Sequence, residues 1–339
     1  MLGYPLIFIF TLIGYKIYKR YKGGLDLKAL MTFKYKDEEF QKLTNLGYEI
    51  IFKDERNIKY SDEIRDVDLM VCFNPFDKID INLLPNLKWI QLLSAGINQV
   101  PIDKVLKRDI ALTNNRGGYS IPIAEWIVMK ILEMLKGSKE FYHKQQEKIW
   151  KMDTSLLELY GKTVGFIGTG SIAQEAAKRL EGFGVEIIGF NTSGKKAEHF
   201  HHCFSIDEVE KAISKCDIIV IAAPYTDKTH HLVNESLINS MKDDVYLVNI
   251  ARGNIIDEKA LIANLKSGKI KKAALDVFQV EPLPEESPLW DMDNVIISPH
   301  NSWASDMNAH RRYQITYANM KRYIKGEELI NLVEIKKGY

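Results

Sequence analysis

Three residues in the second half of the chain have the types and spacing for acid–base work on a carbonyl. They are Arg252, Glu281 and His300, set 29 and 19 positions apart. An imidazole titrates near neutral pH, so His300 suits giving a proton to a carbonyl oxygen and taking one back from a hydroxyl. Glu281 would hold that ring's orientation and favour its protonated form. Arg252 offers a planar fork of donors to a substrate carboxylate and a charge that polarises the neighbouring carbonyl. Taken singly, such residues are commonplace: most Arg and Glu are solvated, and a lone His is often structural. The case rests on where the three fall together. They lie in VNIARGNIIDEKAL, ALDVFQVEPLP and VIISPHNS, each following or ending a strand-like run. Carboxyl ends of strands are where open α/β sheets bind ligands.

The elements that must position them alternate. Strand-like runs LKALMTF, YEIIF, DLMVCF, KWIQLL and IALTNN come first, with a helical pattern in KDEEFQKLTNLG. A long helical stretch follows from Ile123 to about Lys144, with one apolar stripe. A second series begins at Lys162 with TVGFIG, VEIIGF, DIIVIAA, VYLVNIA, KAALDV and NVIISP, separated by helical patterns. A last helix is expected from about Asn308 to Ile324, packed on the first sheet. Alternating strand and helix implies parallel sheets. The expected fold is α/β, two Rossmann/flavodoxin-like doubly wound parallel-sheet domains joined by a long helix. Residues 26–121 with 302–339 form the expected substrate-binding domain, and 122–301 the dinucleotide-binding domain.

The segment Gly165-Phe-Ile-Gly168-Thr-Gly170-Ser-Ile-Ala173 sits between a strand and a helix. Gly168 allows the tight turn, Gly170 lets the backbone approach a pyrophosphate, and Ala173 lets the helix pack near the strand. Ser171 and Ile172 open that helix, whose N-terminus faces the anion. A dinucleotide is therefore expected, and a nicotinamide beside the Arg, Glu and His makes the chemistry hydride transfer to or from a carbonyl carbon. At the end of the next strand an acid would bind the ribose of NAD, but this chain has Asn191, Thr192 and Ser193, then Lys195 and Lys196. A carboxylate there would repel a 2′-phosphate, whereas these side chains donate hydrogen bonds or carry positive charge. NADP(H) is expected ahead of NAD(H).

Composition narrows the classes further. A formal charge of +1 gives no basic surplus for nucleic acid, and 46% hydrophobic residues suffice for a sizeable core. Three separated cysteines, Cys72, Cys203 and Cys216, form no disulfide framework and fit a reducing, cytoplasmic setting. Residues 1–25 hold an apolar run from Leu2 to Tyr15, shorter than a bilayer span, followed by Lys16, Lys19, Arg20 and Lys22. They read as a mis-assigned start, with a short membrane tether as the other reading. HFHHC (199–203) has alternating His199, His201 and Cys203, but no second ligand pair accompanies it, and no metal is expected. His230 and His231 read as structural. Trp303 reads equally as packing or as a pocket wall.

With these residues in place, the chain resembles the D-isomer-specific 2-hydroxyacid dehydrogenases from about Leu27 onward. The likeness is carried by GTGSIA (168–173), PYTDKTHHLVN (224–234), NIARGNIIDEKALI, ALDVFQVEPLP and SPLWDMDNVIISPH (287–300). It implies that Arg252, Glu281 and His300 are the catalytic set, Glu281 standing where formate dehydrogenases have Gln. It implies cofactor contacts at Pro224, Thr226, Ala251 and Asp276, the last near the nicotinamide carboxamide. LLSAGINQV (92–100) resembles the family's substrate loop, which places Ser94, Ala95 and Gly96 at the substrate carboxylate; Asn98 departs from the acid often found there. The resemblance further implies a homodimer and a small 2-oxo or 2-hydroxy acid substrate, with glyoxylate or hydroxypyruvate reduction favoured. The alternatives are 3-phosphoglycerate oxidation and a non-catalytic, nucleotide-sensing interaction protein of the same fold.

Overall fold

The computed structural model describes residues 27–335. The apolar N-terminal run, with the expectation of a tether or mis-assigned start, lies outside the described residues. Among the described residues no helix is long and apolar enough to cross a membrane. The chain divides into two compact units, one holding residues up to Gly118 and from Asp306 onward, the other Tyr119–Ser305. The sequence reading set these boundaries at 121/122 and 301/302.

The first unit contains β1 (Leu27–Met31), α1 (Asp37–Thr44), β2 (Tyr48–Phe52), α2 (Asp62–Arg65), β3 (Leu69–Cys72), β4 (Trp89–Leu92), α3 (Ile102–Lys107) and β5 (Ala111–Thr113). The strands form one parallel sheet in the order β2-β1-β3-β4-β5, a flavodoxin-like order. β3 and β4 are buried at every position, as continuous apolar runs covered on both faces should be. The terminal helix Asn308–Lys325 covers one face: Tyr313, Met320 and Tyr323 pack in one cluster with Leu27, Ala29, Met31 and Trp89.

The second unit contains α4 (Ser120–Lys136), α5 (Ser138–Gln146), β6 (Thr163–Ile167), α6 (Ser171–Leu180), β7 (Glu186–Asn191), β8 (His202–Ser205), α7 (Val209–Ile213), β9 (Ile218–Ile221), α8 (Glu235–Ser240), β10 (Val245–Asn249), α9 (Glu258–Ser267), β11 (Ile270–Leu275) and β12 (Val295–Ile297). Its sheet is parallel throughout, in the order β12-β11-β10-β9-β6-β7-β8. The winding reverses between β6 and β9, so the crevice outside their carboxyl ends is the predicted ligand site.

Two expectations change here. The long helix from Ile123 to Lys144 is two helices. Its first part starts at Ser120 and buries Ile123, Ile127, Ile131 and Leu135 with Ala173, Ala176 and Leu180 of α6. It stops because Gly137 adopts φ 62, ψ 37, a left-handed cap whose amide bonds to the Glu133 carbonyl. α5 then continues with no buried residue. The alternation of His199, His201 and Cys203 in HFHHC does not hold either. His199 has φ 66 and belongs to a turn, and β8 begins only at His202. The ring of His201 accepts the Ile187 amide at 2.9 Å, while His199 Nδ1 lies 3.0 Å from Glu181 Oε1.

Candidate active site

The carboxyl ends of β10, β11 and β12 each deliver one member of the Arg–Glu–His set. At the end of β10 the Asn249 side chain is almost wholly buried and clamps the turn. Its Nδ2 donates to the Arg252 carbonyl at 3.1 Å, and its Oδ1 accepts from the Ala251 amide at 3.1 Å. Arg252 leaves this turn extended, with Nη1 donating to the Ala251 carbonyl at 2.6 Å. Burial pulls its guanidinium pKa below the ordinary value and the Glu281 charge opposes that, so it remains a cation beside a carboxylate.

After β11, Asp276 is fully buried. Its Oδ1 accepts the Ser298 hydroxyl and, at 2.8 Å, the Asn301 amide; its Oδ2 accepts the Ser302 amide at 3.0 Å. The Asp276 carbonyl takes the His300 amide at 2.8 Å. Asp276 therefore fixes the whole Ser298–Ser302 loop, and its carboxylate is committed to that loop rather than directed outward. His300 sits at φ 50, a conformation a non-glycine residue keeps only where its surroundings enforce it. Its carbonyl also takes Trp303 Nε1 at 2.8 Å, so Trp303 braces the loop.

Glu281 closes the set. Its Oε1 accepts the Phe278 amide at 3.0 Å and its Oε2 lies 2.8 Å from His300 Nδ1. The side chains of His300 and Glu281 are 40% and 37% exposed, so the pair is accessible from solvent. With Nδ1 facing the carboxylate, Nε2 is the imidazole nitrogen left to exchange a proton. The turn of Arg252 and the loop of Glu281 run in close backbone contact. A Cβ on Gly253 would lie 1.9 Å from the Phe278 carbonyl carbon. No sequence signal short of that contact explains why position 253 is glycine.

At the end of β6, Gly168 has φ 98, and a Cβ there would meet the Ala223 backbone at 2.7 Å. A Cβ on Gly170 would meet nothing within 4 Å, so the space in front of α6 is open. Gly170 is the N-cap of this ten-residue helix and no side chain caps it. A bare helix N-terminus above a glycine turn is a fit for a pyrophosphate. Ser171 Oγ lies 3.0 Å from Ser120 Oγ, and Ile172 packs partly buried on the core beneath.

Asn191 ends β7, and both of its side-chain N–H groups are committed within the protein. Nδ2 donates to Thr169 Oγ1 at 3.1 Å and to the Lys195 carbonyl at 2.9 Å, while Oδ1 accepts from the Ser193 amide at 3.1 Å. It ties the glycine turn to a tight loop whose Thr192, Ser193, Lys195 and Lys196 are exposed. No carboxylate pairs with the two lysines among the described residues. Thr169, the middle residue of the glycine motif, is thus part of the site, which the motif pattern alone did not show. Beyond β9, the Pro224 carbonyl accepts from Thr229 Oγ1 at 2.8 Å, and the Thr226 amide donates to the same hydroxyl at 2.7 Å.

In the first unit, the Ser94–Gly96 loop is drawn together by its carbonyls. Ser94 Oγ donates to Gly96 O at 2.9 Å, the Asn115 amide donates to Ser94 O at 2.9 Å, and Asn114 Nδ2 donates to Ala95 O at 2.9 Å. Gln99 Nε2 bridges Ser94 Oγ at 2.8 Å and the Phe73 carbonyl at 3.1 Å. The amides of Ala95 and Gly96 have no partner among the described residues.

A reversed-winding sheet with a glycine turn and an Arg–Glu–His set on one edge defines a nicotinamide-dependent dehydrogenase architecture. The model of the D-isomer specific 2-hydroxyacid dehydrogenase NAD binding domain matches residues 128–302, and the chain belongs to that family. It is a 2-hydroxyacid dehydrogenase, an oxidoreductase. A glyoxylate reductase of Thermofilum pendens is 36% identical over 273 residues, 78% of this chain and 80% of that one. A D-3-phosphoglycerate dehydrogenase of Methanocaldococcus jannaschii is 31% identical over 81% of this chain but 53% of its own length. Among solved structures, a D-isomer specific 2-hydroxyacid dehydrogenase of Xanthobacter autotrophicus in complex with NADPH and MES superposes with a TM-score of 0.79, at 25% identity over 93% of this chain and all of that one.

Proposed function

We propose that this enzyme is an NADP(H)-preferring reductase of small 2-oxo acids, with glyoxylate or hydroxypyruvate as its substrate class and the D-2-hydroxy acid as product. The observation that carries the reading is the His300–Glu281 contact at 2.8 Å, with Arg252 on the same sheet edge. His300 gives the proton from Nε2 to the carbonyl oxygen, and Glu281 holds the ring and stabilises the imidazolium beforehand. Arg252 pairs with the substrate carboxylate and draws charge from the carbonyl. In the first unit, the amides of Ala95 and Gly96 have no partner among the described residues and are free to meet an anion. When bound, the reduced nicotinamide supplies the hydride. Gly168, Gly170, Ser171 and Ile172 would hold its pyrophosphate, and Pro224, Thr226, Ala251 and Asp276 line the neighbouring strand ends.

The NADP preference is supported by the loop that Asn191 organises. Asn191 organises a loop in which Thr192, Ser193, Lys195 and Lys196 are exposed, and among the described residues no carboxylate pairs with either lysine. The glyoxylate reductase likeness supports the substrate class. We further propose a cytoplasmic homodimer. An apolar face around Val128, Met129 and Leu132 of α4, rimmed by Glu125, Lys136 and Arg179, supports such pairing. Steady-state rates for glyoxylate, hydroxypyruvate and longer 2-oxo acids with NADPH and NADH, and for 3-phosphoglycerate with the oxidised cofactors, test the proposal. Faster turnover of 3-phosphoglycerate than of any small acid would overturn the substrate class.

A further inference from the structure

The stacked pair His230–His231 plays no part in the chemistry above, yet it lies against both arms of the catalytic set. From β9 the chain runs through Pro224 to Val233 alongside the turn that follows Arg252. The His231 amide donates to the Asn254 carbonyl at 2.9 Å, the Val233 amide to Ile255 O at 3.0 Å, and the Asp257 amide to Val233 O at 3.0 Å. The side chain of His231 reaches the other arm. Its Nε2 lies 2.7 Å from Gln279 Nε2, two residues before Glu281. One residue thus holds the Arg252 turn by its main chain and the Glu281 loop by its ring.

The backbone and the neighbouring ring position it. His231 has φ 49, held by the hydrogen bond its amide donates to the Asn254 carbonyl. The His230 ring stacks on it at 3.9 Å with an interplanar angle of 20°, and Tyr225 Oη in turn lies 3.1 Å from His230 Nδ1. Between Gln279 and Glu281 the other holds are few: the Phe278 amide on Glu281 Oε1 at 3.0 Å and the backbone packing of Gly253 against Phe278 and Gln279. Val280 is 60% exposed, and the Gln279 amide makes only a long contact of 3.4 Å to Glu258 Oε2. The Gln279 carboxamide is the nearest side-chain tether upstream of the Glu281 carboxylate. Whether the amide donates to a bare Nε2 or turns to accept from Nε2–H, one hydrogen bond forms.

We propose that His231 is a positioning residue which, through Gln279, holds Glu281 at hydrogen-bond distance from His300. This rests on the reading of Glu281 and His300 given above. Releasing the tether lets Glu281 drift, and a displacement on the order of 1 Å at a catalytic group costs about a hundredfold in rate. Substrate binding by Arg252 would be disturbed far less.

The test uses Gln279→Leu and His231→Phe, the second keeping a ring against His230, with Glu281→Gln as the reference. kcat and KM for a 2-oxo acid with NADPH are measured across pH. A carboxylate beside an imidazole favours the protonated ring, so Glu281→Gln should move the alkaline loss of reduction to lower pH. The two tether variants should shift that loss the same way, lower kcat by about tenfold or more, and leave both KM values nearly unchanged. The double variant should be no worse than the more affected single one, because both remove one interaction. Wild-type kcat and pH profile in both tether variants, with the profile moved in Glu281→Gln, would overturn the tether alone. An unmoved profile in Glu281→Gln would overturn the reading of the pair and the tether with it.

Discussion

Gly253→Ala is the smallest change that tests whether Arg252 and Glu281 must be held in mutual register. The added Cβ would lie 1.9 Å from the Phe278 carbonyl carbon, 2.1 Å from its oxygen and 2.3 Å from the Gln279 nitrogen. All three are backbone atoms, so no side chain can swing aside. Bringing 1.9 Å out to the 3.4 Å of ordinary contact takes a displacement of about 1.5 Å. Gly253 follows Arg252 directly, and the Phe278 amide is the group that holds Glu281 Oε1. The displacement is therefore delivered between the Arg252 and Glu281 side chains. Overpacking of this kind costs about 1–3 kcal/mol, and each kcal/mol lowers the midpoint of a domain this size by roughly 2–4 °C. A misplacement above 1 Å should reduce kcat/KM by about a hundredfold or more. Calorimetry and steady-state reduction of a 2-oxo acid are the assays. A variant with wild-type melting and kcat/KM would refute the idea that this backbone contact sets the geometry of the site.

Other expectations follow from the same structure. Asn191→Asp removes both donors that bind Thr169 Oγ1 and the Lys195 carbonyl and adds a negative charge. It should raise KM for NADPH by about tenfold or more while affecting NADH less, and equal effects on both cofactors would contradict the proposed phosphate pocket. Asp217 reports on fold stability. Burial pushes its carboxyl pKa up, but the Lys242 ammonium at 2.8 Å and the Thr163 amide bring it below its ordinary value overall. A lowered folded-state value means the stabilisation is present above the ordinary carboxylate range and is lost as pH falls through the lowered value. Melting of Asp217→Asn should therefore differ most from wild type near neutral pH and converge with it in acid. A difference that persists unchanged in acid would speak against this account.

Most of the strands were legible because parallel strands covered on both faces are continuous apolar runs, as in DIIVIAA and VYLVNIA. Arg252, Glu281 and His300 were legible as a candidate set because each lies shortly after such a run. Short and edge elements were not. β8 is half polar, with His202 exposed, and read as a connection with metal-like spacing. The six-residue α8 has too few turns to show a period. The break at Gly137 depended on a left-handed cap that a helical stripe on either side conceals. Asn191 was legible as a missing acid, but its commitment to Thr169 and Lys195 needs the closed loop to be seen. The same holds for Asp276, whose carboxylate binds the Ser298–Ser302 loop across 22–26 positions of sequence.

The most direct test of the central claim is the rate of 2-oxo acid reduction by His300→Ala beside wild type, with NADPH consumption followed over the small-acid panel. Wild type should reduce glyoxylate or hydroxypyruvate, and loss of the general acid should lower kcat by about 10²–10⁴ with cofactor affinity retained. Full turnover by His300→Ala would contradict the account.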